Sequence, residues 1–83
     1  MKAIICNEWG KPESLKLLDV ESPILDNKSV RIEIHAAGVN FPDVLIIQGK
    51  YQYKPPFPFS PGSEVSGIIT EIGSEVKDLK VGD

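Results

Sequence analysis

Apolar and polar residues alternate most strictly between residues 30 and 37. Val30, Ile32, Ile34 and Ala36 fall on one side, and Arg31, Glu33, His35 and Ala37 on the other. A period of two belongs to an extended strand, whose successive side chains point to opposite faces. The pattern predicts a strand with one buried and one wet face. Three other runs join it. KAIIC at 2–6 is short, apolar and rich in isoleucine, and predicts a first strand. LKLLDV at 15–20 alternates only in part and predicts a second. VSGIITEI at 65–72 predicts a strand after the middle of the chain, and Gly67 inside it marks a bulge or a close backbone approach. Residues 76–79 read as a short extended piece. Turn chemistry separates these runs: Gly10 and Pro12, Asp26-Asn27, Pro61-Gly62, Gly73-Ser74-Glu75.

One segment leaves the two-residue period. Gly38 breaks the alternating strand and Asn40 stands as a helix N-cap or the residue before it. Pro42 suits a first helical turn, where its missing N–H costs nothing, and Asp43 suits the positive end of a helix. Phe41, Val44, Leu45 and Gln48 share one helical face, and Gly49 is a C-terminal stop. These signals predict a helix of about two turns, from 41 to 48. KYQYKPPFPFSP at 50–61 then gathers four of the seven prolines and four of the six aromatics. Four prolines exclude a helix interior or a paired strand, so this is a stiff loop of partly polyproline-like geometry. Phe57 and Phe59 read as groups that close the sheet edge. For Tyr51 and Tyr53 a place facing a cleft and a place in the packing stand open alike. The whole reads as mostly β, an antiparallel sheet or barrel with one short helix, rather than a repeat of strand-helix-strand units.

Composition narrows the function classes. With 83 residues the chain holds one small domain. A net charge of −3, with its nine Lys and Arg scattered singly, recommends no nucleic-acid partner. The one cysteine, Cys6, excludes an internal disulfide and suits a reducing compartment. No apolar run approaches the roughly 20 residues of a membrane span, and the opening MKAIICNEWG lacks the core and cleavage site of a signal peptide. The expected location is the cytoplasm. The last residues, Val81-Gly82-Asp83, are turn chemistry, from which a longer chain is expected to continue.

Few residues carry chemistry on their own. One cysteine and one histidine cannot furnish the four ligands of a structural zinc. None of the seven glycines forms the G-x-G-x-x-G turn that cradles a dinucleotide, and there is no G-x-S-x-G nucleophile turn. PPFP and PFSP match P-x-x-P without a flanking arginine. His35, on the polar side of its strand, reads as a solvated residue with no partner near it in sequence. Trp9 reads as a ring closing the end of the sheet rather than a ligand contact. Asp43 and Glu64 stand either as anchors accepting hydrogen bonds or as solvated carboxylates.

Taken together, AAGVNFPDVLIIQGKY, then P-x-x-PGSEVSGIITEIGSEV, then VGD, resemble the medium-chain dehydrogenase/reductase superfamily. They are most similar to its zinc-independent quinone oxidoreductase branch, which includes zeta-crystallin. The resemblance covers nearly the whole chain. It implies a GroES-like fold, a partly open β-barrel, of which residues 1–83 would be the N-terminal part. The Rossmann domain that binds NADPH, and the segment that completes the barrel, would lie outside this chain. Zinc-dependent alcohol dehydrogenases resemble the same stretch but carry a zinc-binding cysteine where this chain has Asn40, and a zinc-binding histidine where it has Ser63. An amide and a hydroxyl cannot replace a thiolate and an imidazole, so the resemblance implies no catalytic metal.

It further implies that Asn40 and Tyr51 lie at the nicotinamide and substrate cleft, and that Asp43 and Glu64 are positioning groups. Related enzymes often have a tyrosine where this chain has Leu45, which leaves the substrate loosely defined. The implied reaction passes a hydride from NADPH to a quinone or an activated alkene, a small-molecule substrate, in an enzyme that is a homodimer at full length. An enoyl or enone reductase of the same superfamily is the rival within the enzyme class. A stand-alone GroES-like module that docks a partner through its proline-aromatic loop is the rival outside it.

Overall fold

The computed structural model describes all residues from Met1 to Asp83. It contains four strands in two separate two-stranded sheets, one short α-helix and a single 3-10 turn at Pro12–Ser14. The chain divides into two compact units. One holds residues Met1–Ser22 and Gly38–Ser63, and the other Pro23–Ala37 and Glu64–Asp83.

In the first unit, β1 (Lys2–Ile5) pairs antiparallel with β2 (Lys16–Asp19), Lys2 opposite Asp19 and Ile5 opposite Lys16. The N-terminal ammonium donates to the Val20 carbonyl at 2.7 Å, and Val20 N–H returns a bond to Met1 O at 2.8 Å. Both strands are a residue or two shorter than their apolar runs, because the run at 2–6 serves two partners. Cys6 leaves β2 and exchanges backbone bonds with Phe59 instead, Cys6 N–H to Phe59 O at 2.8 Å and Phe59 N–H to Cys6 O at 3.2 Å. The proline loop therefore does pair, against expectation, at one residue beyond β1, and at a phenylalanine, which unlike its proline neighbours has an N–H to give. Cys6 is buried there as a free thiol whose Sγ–H donates to Glu8 O at 3.1 Å.

Helix α1 (Phe41–Ile47) begins and ends within a residue of its sequence signals. Pro42 lies in the first turn, and Gly49, at φ +70°, supplies the left-handed residue that ends it. The buried face is not the expected one. Asp43 and Ile47 are buried while Phe41 is 73% exposed. One contact is non-local: Gly10 N–H donates to Ile47 O at 2.9 Å and the Trp9 indole lies over Gly49, so the segment after β1 packs on the C-terminal end of the helix.

In the second unit, β3 (Val30–Gly38, whose last residue belongs to the first unit) pairs with β4 (Glu64–Ile72). Gly67 is a point of close approach, as the sequence suggests: a Cβ there would run into the Glu33 carbonyl oxygen. Arg31 ties the strands by donating from Nε to Glu71 Oε1 at 2.9 Å and from Nη2 to Pro23 O at 3.0 Å. The turn before β3 starts at Asp26, whose carboxylate accepts Lys28 N–H at 2.9 Å. Residues 76–79 form no strand. The chain around them turns, Val76 N–H donating to Gly73 O at 3.1 Å, and Asp83 comes alongside β4, its carbonyl accepting Ile69 N–H at 2.9 Å. Ile69 is buried, but Ile34 is 56% exposed, and Ile32 and Ala36 are exposed with it. The alternation at 30–37 makes a strand, as expected. Its apolar side is not buried, because two strands alone provide no second layer to cover it.

Candidate functional site

The N-terminus of α1 concentrates the residues singled out by sequence. Asn40 is extended, at φ −125° and ψ 164°, and forms a capping box with Asp43. The Asp43 carboxylate accepts the Asn40 N–H at 2.8 Å, and Asp43 N–H donates to the Asn40 carbonyl at 3.0 Å. Asp43 is only 6% exposed. A carboxylate so buried needs a donor, and it has one, at the helix end whose free N–H groups favour a negative charge. Asn40 itself is exposed, between Val39 and Phe41, which are 85% and 73% exposed. A polar amide thus stands between two open apolar side chains on a rigidly capped turn.

Leu45 and Tyr51 lie on α1 and on the segment that leaves its other end. The half-buried Leu45 turns its carbonyl to two donors, Gln48 N–H at 3.2 Å and Lys50 N–H at 2.9 Å. That pair folds the chain back after the helix and places Tyr51, also half-buried, directly after the closed turn. Tyr53, two residues on, is 62% exposed. The two tyrosines, equivalent by sequence, are therefore different in structure. Trp9, Phe57 and Phe59 form a cluster, with Trp9 and Phe57 centroids 4.5 Å apart edge to face and Phe57 and Phe59 stacked at 5.8 Å. Trp9 packs in this cluster, as expected, and of the two phenylalanines Phe59 pairs with Cys6 just past β1 while Phe57 joins through its ring contacts.

The first unit thus carries Asn40, Asp43, Leu45 and Tyr51 on one helix and its exit. Glu64 heads β4 in the second unit and is exposed. His35 is solvated, as expected, but it has a partner the sequence reading overlooked: Glu33 Oε1 lies 3.8 Å from His35 Nε2. The signal was present, since residues two apart on a strand share a face. Phe41, which shares a helical face with Val44 and Leu45, is the open end of that face, 73% exposed while the other two are half-buried. No three His, Cys, Asp or Glu side chains gather as a metal-binding group, and no helix is long and apolar enough to cross a membrane.

This arrangement has close counterparts. The alcohol dehydrogenase GroES-like domain matches residues 26–83, from the turn before β3 through the helix and loop to the last residue. The chain belongs to that family. The chain is 45% identical over 86 residues to quinone oxidoreductase-like protein 2 homolog of Nematostella vectensis, covering 99% of this chain and 22% of that protein. It is 45% identical over 84 residues to quinone oxidoreductase of Mus musculus, covering all of this chain and 25% of the relative. Among solved structures, quinone oxidoreductase of Escherichia coli complexed with NADPH superposes with a TM-score of 0.92 at 32% identity, over 100% of this chain and 25% of that one. The chain thus spans about a quarter of the length of these relatives. Its four strands, one short helix and unclosed sheets agree with an incomplete GroES-like barrel.

The chain's own residues fit only one end of a nicotinamide dinucleotide. Its left-handed glycines, Gly49, Gly62 and Gly82, lie singly in separate turns and build no phosphate cradle before a helix. Asn40 is exposed between Val39 and Phe41, with its side chain taking part in the capping box.

Proposed function

We propose that this chain is the N-terminal part of the catalytic domain of a zinc-independent, NADPH-dependent oxidoreductase acting on a quinone or an activated alkene. The observation that carries the reading is Asn40 on the capped first turn of α1, at the position where zinc enzymes of the superfamily place a cysteine, in a chain similar along its length to quinone oxidoreductases. NADPH, when bound, supplies the hydride; the protein supplies orientation and electrostatics. Asn40 orients the nicotinamide carboxamide or the substrate oxygen with its amide. Asp43 holds the backbone of Asn40 in place, and Tyr51 contributes a wall of the same cleft. Glu64 is a positioning group at the head of β4. The phosphates and the 2′-phosphate selector belong to a nucleotide-binding domain outside these residues.

Leu45 favours a second reading within the same chemistry. An aliphatic side chain where relatives often carry a tyrosine suits an enone or enoyl substrate as well as a quinone. We further propose that the full-length enzyme is a cytoplasmic homodimer. Turnover of the full-length protein tests these readings. NADPH should be consumed with a quinone or an enone, the preferred acceptor separating the two, and a metal chelator should leave the rate unchanged. Asn40→Ala should lower kcat/KM by about tenfold or more. A protein that oxidises NADPH with neither acceptor, or only with added zinc, overturns the proposal.

A further inference from the structure

Trp9 is the one tryptophan of the chain, and it lies 40 residues ahead of the turn it touches. Its indole lies against Gly49 so closely that a Cβ on the glycine would stand 3.0 Å from Cδ2 and 3.2 Å from Cε2. The next residue, Gly10, donates its N–H to Ile47 O at 2.9 Å. Gly49 N–H donates to Ile46 O at 3.1 Å, and Lys50 N–H to Leu45 O at 2.9 Å. The end of α1 is thus closed from below by its own backbone and from above by the indole. The far side of the proline loop is held by the same ring, through Phe57 at 4.5 Å and Phe59 at 6.2 Å, and by the two backbone bonds of Phe59 to Cys6. Between these anchors run residues 51–56, with the half-buried Tyr51 first and Tyr53, 62% exposed, two residues on. Tyr51 directly follows the anchored end.

We propose that Trp9 is a positioning residue for Tyr51. It acts through Gly49: a flat ring laid on a residue without a Cβ fixes the backbone at 49–50 and so the direction in which Tyr51 leaves the helix. This accounts for the different settings of two tyrosines two residues apart. Gly49 is required twice, for its φ of +70° and for the space the indole fills. The catalytic consequence rests on the proposed place of Tyr51 at the substrate cleft. The structural one does not, so the two are tested by different measurements.

The experiment uses the full-length protein and three variants, Trp9→Leu, Trp9→Phe and Gly49→Ala. Amide hydrogen exchange reads the structural claim. Trp9→Leu and Gly49→Ala should speed exchange at Lys50, Tyr51 and Gln52 by about tenfold or more while leaving β3 and β4 unchanged. Trp9→Phe, which keeps a flat ring, should restore most of the protection. Steady-state kinetics with a quinone reads the catalytic claim. Trp9→Leu should raise the quinone KM about tenfold with kcat altered less than about twofold, and Trp9→Phe should bring the KM most of the way back. Unchanged exchange at 50–52 in both Trp9→Leu and Gly49→Ala overturns the proposal whatever the activity. So does local loosening that leaves the quinone KM unaltered in an active enzyme. If the wild-type protein reduces no quinone or enone, the functional reading fails while the exchange result still decides what Trp9 holds.

Discussion

Asp43 and Asp26 have the same side chain and do opposite kinds of work. Asp43 is buried and accepts one backbone N–H at the head of α1. Asp43→Ala removes the acceptor and leaves the Asn40 N–H unpaired, so it should cost about 1–2 kcal/mol, read as a lowered urea midpoint at unchanged slope. Asp43→Asn keeps an acceptor oxygen and should cost less. Asp26 is fully exposed, and its carboxyl is held below the ordinary aspartate value, first by the Lys28 N–H and then by the Ser29 hydroxyl. The folded value is depressed, so its contribution is present above the unfolded pKa and lost as pH falls through the folded one. Carboxyl chemical shifts should show Asp26 titrating below the ordinary aspartate value, and Asp26→Asn should flatten the acid limb of the stability profile. Of these roles the sequence displays half. S/T/D/N-x-x-acid spacing, here Asn40 to Asp43, is a local signal and legible. That Asp43 would be buried was not, since burial is set by packing across the fold and not by local spacing.

At the scale of elements, strands and helix appear where periodicity and turn chemistry put them, with bounds moved by one or two residues. Such signals are local, and the backbone obeys them locally. What failed was the assignment of faces. Helix α1 buries 43 and 47 rather than 41 and 45, and β3 leaves its apolar side open, because faces are chosen by partners distant in sequence. Gly67 is an exception that could be read, since a glycine inside a strand pattern has few reasons to be there. Its reason is steric: any Cβ meets the Glu33 carbonyl and the Ile32 side chain. Gly67→Ala should therefore push β4 off β3 and cost about 1–3 kcal/mol. Gly62→Ala is the control. Its φ is +111° but nothing lies within 4 Å of the added carbon, so only backbone strain opposes it. Protection of the Ile69 amide should fall in Gly67→Ala and stay near wild type in Gly62→Ala.

At the scale of the molecule, the balance between covered and open apolar surface decides how these 83 residues behave when isolated. Only Cys6, Ile47 and Ile69 form buried apolar positions, while Ile32, Ile34, Val65, Ile68 and Ile72 on the β3–β4 sheet are all exposed. Roughly 25 cal/mol is gained for each Å² of apolar surface removed from water, so a sheet with this much open apolar surface gains by meeting another. The two sheets also have two strands each, so each strand keeps an edge of unpaired backbone groups. Both features favour association of the isolated chain over a monomer. Sedimentation velocity of residues 1–83 should show species heavier than 9.1 kDa whose population grows with protein concentration, together with binding of a hydrophobic dye. Ile34→Thr and Ile68→Thr keep β-branching while removing apolar surface, and together they should move the distribution towards monomer. The same pair in the full-length protein should destabilise it, because there the rest of the barrel would cover this sheet. Opposite signs in the two contexts are the discriminating result: a pair of substitutions that left the isolated chain equally associated would place the cause of association at the strand edges instead.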